Sequence, residues 1–77
     1  MKTPKGWKKT KSSSVGIVYS NINNKYQSVD AWIHISGKYW IISISNKYGM
    51  ITKRIRKSTK KDAEEYLIKY IRKHPNG

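Results

Sequence analysis

Arg54 and Arg56 stand two residues apart in the run KRIRK, with Lys53 and Lys57 on their outer sides. A guanidinium presents its donors in a fixed planar fork that matches guanine O6 and N7, whereas an ammonium acts as a point charge on phosphate. Lys60 and Lys61 continue this basic block, and a second block of Lys2, Lys5, Lys8, Lys9 and Lys11 opens the chain; neither contains an acid. The formal net charge is +13 over 77 residues. A basic run is ordinarily a solvated face, but two acid-free blocks in so short a chain make the pattern of a surface for a polyanion. Double-stranded DNA is the expected partner. Between the blocks, Trp32, His34 and Tyr39 add rings, and aromatic rings stack on bases or pack against sugars and thymine methyls.

Catalytic chemistry is poorly supplied. The chain has two histidines, no cysteine and four acids, three of which, Asp62, Glu64 and Glu65, fall together at the start of a helical pattern. Metal-dependent hydrolysis needs convergent carboxylates, and only Asp30 stands apart from that group. No Gly-rich phosphate loop or Ser/His pairing appears. The expectation is a protein that is not an enzyme and uses no cofactor or metal, with His34 on a strand and His74 complementing the carboxyl end of a helix. No stretch approaches the ~18 apolar residues of a spanning helix, and the amino terminus has no apolar signal core, so a membrane is not an expected partner. The absence of cysteine removes disulfides and thiolate metal sites and suits a reducing compartment, here the cytoplasm or nucleoid. Abundant Ile, Lys, Asn and Tyr suit an AT-rich genome such as that of a phage or another mobile element.

The elements that must position these residues follow from periodicity. Residues 1–14, rich in Lys, Ser, Pro and Gly with Trp7 as the one large apolar residue after Met1, read as a disordered basic arm. Trp7 would either stack on a base or dock on the domain. Residues 15–74 read as a single small domain, because a chain this short cannot bury two cores. VGIVYS suggests a first strand before the polar link NINNKYQS, and VDAWIHISGKYWIISIS suggests a hairpin turning at Gly37-Lys38. A tight two-residue turn there would pair Ile35 with Trp40, Ile33 with Ile42 and Ala31 with Ile44. After a turn at Asn46-Lys47-Tyr48-Gly49, a further strand is expected from about Met50 to Arg56, with Ile51 and Ile55 on the apolar side and Thr52, Arg54 and Arg56 on the other.

Thr59 is the expected N-cap, Asp62, Glu64 and Glu65 suit the positive end of a helix, and Ala63, Tyr66, Leu67, Tyr70 and Ile71 form one apolar stripe. Arg72, Lys73 and His74 suit its carboxyl end, and Pro75-Asn76-Gly77 stop it. The expected fold is α+β: an antiparallel three- to four-stranded β-meander packed on one C-terminal α-helix. The helix covers the apolar face and leaves Trp32, His34, Tyr39, Ile41, Arg54 and Arg56 on the open one.

Three stretches resemble the Apetala-type DNA-binding fold and its relatives, the arm-type domains of phage integrases. Gly16-Ile17-Val18-Tyr19 is similar to that family's opening strand, and Ala31-Trp32-Ile33-His34-Ile35-Ser36-Gly37-Lys38 to its central strand ending in a Gly-Lys hairpin. Ser58-Thr59-Lys60-Lys61-Asp62-Ala63-Glu64-Glu65-Tyr66-Leu67 resembles the start of the helix in arm-type domains. The resemblance covers about residues 15–72 and implies a three-stranded sheet, backed by one helix, that lays its exposed face in the major groove. The chain departs from the family in having an extra strand's length between the Gly-Lys hairpin and the helix. Lys60-Lys61-Asp62-Ala63 also resembles the last helix of double-stranded-RNA-binding domains, although the first helix of that fold is missing.

Taken together, the residues predict a DNA-binding module for regulation or recombination, with Trp32, His34, Tyr39, Arg54 and Arg56 facing bases. Lys5, Lys8, Lys9, Lys11, Lys38, Lys53, Lys57, Lys60 and Lys61 would hold phosphates. One alternative is an interaction protein of phage type that binds and modulates a host protein through Trp32, Tyr39 and Ile41. Another is an RNA-binding protein. Oligomeric state is left open.

Overall fold

Alternation of apolar and polar residues, the pattern of a strand with one buried face, governs most of the chain as far as Lys57, and helical spacing takes over after Thr59. The computed structural model describes residues 4–74; Lys2 of the basic arm and the Pro75-Asn76-Gly77 stop lie outside the described residues. Five strands, β1 (Trp7–Ser12), β2 (Gly16–Asn21), β3 (Asn24–Ile33), β4 (Trp40–Ser45) and β5 (Ile51–Lys57), precede a single helix, α1 (Lys60–Lys73). The strands form one antiparallel meander in sequence order, β1-β2-β3-β4-β5, so every connection is local and the fold is α+β. Thr59 caps α1 as expected, its hydroxyl accepting from the Asp62 amide at 3.1 Å.

Strand register sorts the side chains into two faces. Toward α1 run the rows Ser12–Ile17–Ala31–Ile42–Ile55 and Lys9–Tyr19–Val29–Ile44–Lys53, with Ile33, Trp40 and Lys57 beyond them. On these rest Ala63, Leu67, Ile68 and Ile71, all fully or almost fully buried. Tyr66 and Tyr70, predicted in the same stripe, pack at its margin, and Ile68 takes the place beside Leu67. Among the described residues no helix lies over the other face of the sheet.

The sheet has five strands rather than three to four, because residues 7–12 are a strand and not part of a disordered arm. Trp7 docks on the domain: it is 3% exposed, and its indole Nε1 donates to the His74 carbonyl at 2.9 Å. Lys9 and Ser12, its neighbours on the helix-facing side of β1, are polar, so the strand carries no alternation to read. A bulge between Lys9 and Lys11 bends this edge strand.

The central hairpin keeps its predicted faces but not its predicted partners. Ile33 pairs with Trp40, Ala31 with Ile42 and Val29 with Ile44, a shift of two residues from a tight Gly37-Lys38 turn. Because side chains alternate with a period of two, that shift leaves each residue on the same side. His34 organises the longer loop: its ring Nδ1 accepts from the Ser36 amide at 3.1 Å, and its backbone carbonyl accepts from the Gly37 amide at 2.8 Å. Gly37 has φ +73°, which glycine adopts without strain. Ile35, expected in the core, is instead 99% exposed at the loop.

A bulge also corrects β5. Ile44 faces Lys53 while Ser45 faces Ile51, so Thr52 is the extra residue. Its hydroxyl donates to the Ile44 carbonyl at 3.3 Å, and Ile51 moves to the open face, 49% exposed. The link NINNKYQS narrows to a turn at Ile22-Asn23, and most of it belongs to β3. Asn21 and Gln27 are both buried there, joined by an amide–amide bond of 3.0 Å. The turn at 46–49 forms as expected, with the Gly49 amide donating to the Asn46 carbonyl at 3.0 Å.

Candidate nucleic-acid interface

Alternation along β3 and β5 brings Trp32, Arg54 and Arg56 to the helix-free face, and His34 and Tyr39, in the β3–β4 loop, stack beside Arg56 there. One row across the sheet reads Lys11–Val18–Asp30–Ser43–Arg54 and the next Gly16–Trp32–Ile41–Arg56. Beyond the second row, His34 and Tyr39 stack with centroids 4.4 Å apart and planes 18° from parallel. Arg56 also lies over Tyr39, with Cζ 4.4 Å from the ring centroid. Its fork is therefore partly ordered before any ligand arrives, which reduces the entropy lost on binding. A recess of about 330 Å³ opens between Arg54, Arg56, Ile41 and Ile55.

Trp32 is held rather than free. Its ring lies on Gly16 so closely that a Cβ there would stand 2.3 Å from Cε3, which is why β2 opens with glycine. Lys11 Nζ sits 4.9 Å from the Trp32 ring centroid, and the residue remains 38% exposed. Asp30 lies at the centre of this cationic face. Burial pushes its carboxyl above the ordinary value, against a hydrogen bond from the Trp32 side chain, the positive charge of Arg54 and hydrogen bonds from Ser43.

The lysines predicted to hold phosphates divide between the two sides. Lys8 and Lys11 stand on the open side of β1, Lys38 is exposed in the loop before Tyr39, and Lys5 is exposed ahead of β1. Lys9, Lys53, Lys57, Lys60 and Lys61 lie toward or on the helix, away from the arginines. Two of these are engaged within the fold. Lys9 Nζ pairs with Glu64 at 3.2 Å, and Lys60 Nζ donates to the Ser13 carbonyl at 2.9 Å. Burial pulls the Lys9 amine down, but its bonds to Glu64 and Tyr19 and their charges hold it above the ordinary lysine value. Burial pushes the Tyr19 hydroxyl up, opposed by its bond to Lys9 and that ammonium's charge.

Lys57 lies 5.4 Å from the Tyr66 ring centroid. Lys53 joins Tyr66, Lys69, Tyr70, Lys73 and His74 around a separate recess of about 440 Å³. Lys69 and Lys73 were not among the predicted contacts, although alternation about Ile55 already sets Lys53 and Lys57 opposite Arg54 and Arg56.

Among the described residues, no three of His, Cys, Asp and Glu gather as a group that could hold a metal ion, and no helix is long and apolar enough to cross a membrane. The fold and this face define a small α+β domain with one helix-free, arginine- and aromatic-bearing sheet surface. No protein-family model, curated protein or solved structure matches the chain.

Proposed function

We propose that the protein binds double-stranded DNA through the β3–β5 half of its open sheet face. The observation that carries this reading is the Arg56–Tyr39–His34 stack with Arg54 two residues along the same strand: two exposed arginine forks on the face opposite α1. Five strands at ~4.8 Å spacing span about 19 Å between their outer members, wider than the ~12 Å major groove. Three strands span about 10 Å and fit it. The base-facing candidates lie on β3, β5 or the β3–β4 loop, one strand further along the sheet than the β2–β4 set that the Apetala-type resemblance implies. The β1–β2 half then overhangs the flanking backbone, where Lys8 and Lys11 meet phosphates.

Asp30 faces the same groove. A carboxylate near DNA accepts from the cytosine amino group or repels phosphate, so Asp30 disfavours loose backbone binding and adds discrimination. A protein partner is less well served, because Trp32 is spent on Gly16 and Tyr39 on its two stacking neighbours. The proposed setting is a cytoplasm or nucleoid where DNA is accessible, with a role in regulation or recombination for a phage or another mobile element.

Titrating a duplex at rising salt tests the proposal. With six or more phosphates neutralised, affinity falls by roughly a thousandfold between 50 and 200 mM salt. A salt-independent affinity, or tighter binding to duplex RNA or single strands than to duplex DNA, overturns it.

A further inference from the structure

Alternation along β5 sends Arg54 and Arg56 to the open face and Lys53 and Lys57 to the helix side. There Lys53 meets Lys69 and Lys73 across the recess of about 440 Å³, whose remaining walls are Tyr66, Tyr70 and His74. The walls are braced: Tyr70 and His74 stack with centroids 4.2 Å apart, and His74 Nδ1 lies 2.9 Å from the Tyr70 carbonyl. Among the described residues no acid lines the recess. The ion pair among the described residues is Lys9–Glu64, which joins α1 to β1 at the opposite margin of the sheet, so these three ammonium groups have no carboxylate partner among those residues.

The two cationic surfaces differ in kind. The open face carries arginines, whose forks read base edges; the recess carries lysines, which take phosphate oxygens without regard to sequence. They also lie on opposite sides of the sheet, with Lys69 and Lys73 set back on the helix layer. Duplex DNA keeps its direction over roughly 150 bp, so a duplex on the open face cannot curl round a domain measuring 34 × 26 × 19 Å to reach the recess. A second segment can.

We propose that the groove between β5 and α1 is a second phosphate-backbone site, and that one protein molecule holds two duplexes, one against each side. This rests on the reading that the open face binds duplex DNA. Two sites on one small rigid body fix the separation of the duplexes and favour joining where two segments already run close together, because the second contact is then intramolecular.

The test mixes two short duplexes, one carrying a donor fluorophore and the other an acceptor, with the full-length protein at near-physiological salt, and records energy transfer and anisotropy together. The expected result is transfer that rises while duplex is in excess and falls once each duplex is saturated with its own protein. Sedimentation of the bridged species gives two duplexes per protein monomer. The triple variant Lys53→Gln, Lys69→Gln, Lys73→Gln loses the transfer while its single-duplex affinity drops by less than about tenfold, since charges beyond ~8 Å are screened at that salt.

Anisotropy showing tight duplex binding without transfer overturns the second site and leaves the sheet-face reading standing. Absence of duplex binding in the anisotropy channel overturns both. Transfer that survives in the triple variant, or a bridged species containing two protein molecules, overturns the inference in favour of self-association. Signals of Lys69 and Lys73 that respond to single-stranded oligonucleotide but not to duplex assign the recess to single strands and overturn it as well.

Discussion

Replacing Arg56 by alanine removes a side chain with two separable roles. In the free protein its guanidinium lies 4.4 Å from the Tyr39 centroid, and an exposed cation–π contact of this kind stabilises by about 0.5–1 kcal/mol. For a domain of this size each kcal/mol shifts the melting temperature by about 4–8 °C, so the variant stays folded and melts no more than about 8 °C below the parent. In the complex a forked contact to guanine contributes about 1–3 kcal/mol of discrimination, or about 5- to 150-fold in affinity for a preferred duplex. The assay is competition anisotropy using a duplex selected from a randomised pool against the same duplex with individual guanines replaced. Arg56→Ala loses the preference at one guanine. Arg56→Lys, which keeps the charge but not the fork, loses it equally while keeping the salt slope within about one unit of the parent. If Arg56→Ala binds the selected duplex as tightly as the parent, or Arg56→Lys discriminates as well as the parent, the stacked arginine does not read bases.

Asp30→Asn gives a pH signature. A carboxyl whose folded pKa is raised loses stability as pH climbs from the ordinary aspartate value through the raised one, so Asp30→Asn equals or exceeds the parent in melting temperature at neutral pH. The variant also binds duplex DNA more tightly there, with weaker discrimination, and the difference from the parent closes as pH falls through that window. Trp7→Ala opens a large cavity and strands the His74 carbonyl, costing about 3–5 kcal/mol by denaturant titration, a large share of a small domain's stability. A loss under 1 kcal/mol would mean that β1 is not docked. Gly16→Ala drives a methyl into the Trp32 ring, so tryptophan emission moves to the red and stability falls by about 1–3 kcal/mol; an unchanged spectrum would contradict the contact.

The residues whose side was legible from the sequence are those fixed by strand parity. Ile33, Trp40, Ile42, Ile44 and Ile55 sit inward and Trp32, Ile41, Arg54 and Arg56 outward whichever even-numbered register the hairpin adopts, so a misjudged turn at Gly37-Lys38 cost only Ile35. Bulges break parity, and the extra residue at Thr52 moved Ile51 to the open face with no local marker beyond a hydroxyl able to bond the backbone. Strand β1 was hidden because its one apolar residue, Trp7, anchors it at the first position. Asn21 and Gln27 read as loop residues because their burial depends on finding each other. The split of the lysines was available from alternation about Ile55. The recess on the helix side was not, since Lys69 and Lys73 reach Lys53 only through the packing of α1 on the sheet.

Docking of DNA on the open face of β3–β5 is read from side-chain resonances in a nitrogen–proton correlation spectrum recorded as duplex is added. The expected result is that the Trp32 indole signal and the Nε–H signals of Arg54 and Arg56 shift in proportion to bound duplex. The indole of Trp40, buried beneath the same strands, should hold its position. Saturating binding with the Trp32, Arg54 and Arg56 signals unmoved, and shifts confined to β1 or α1, would contradict it.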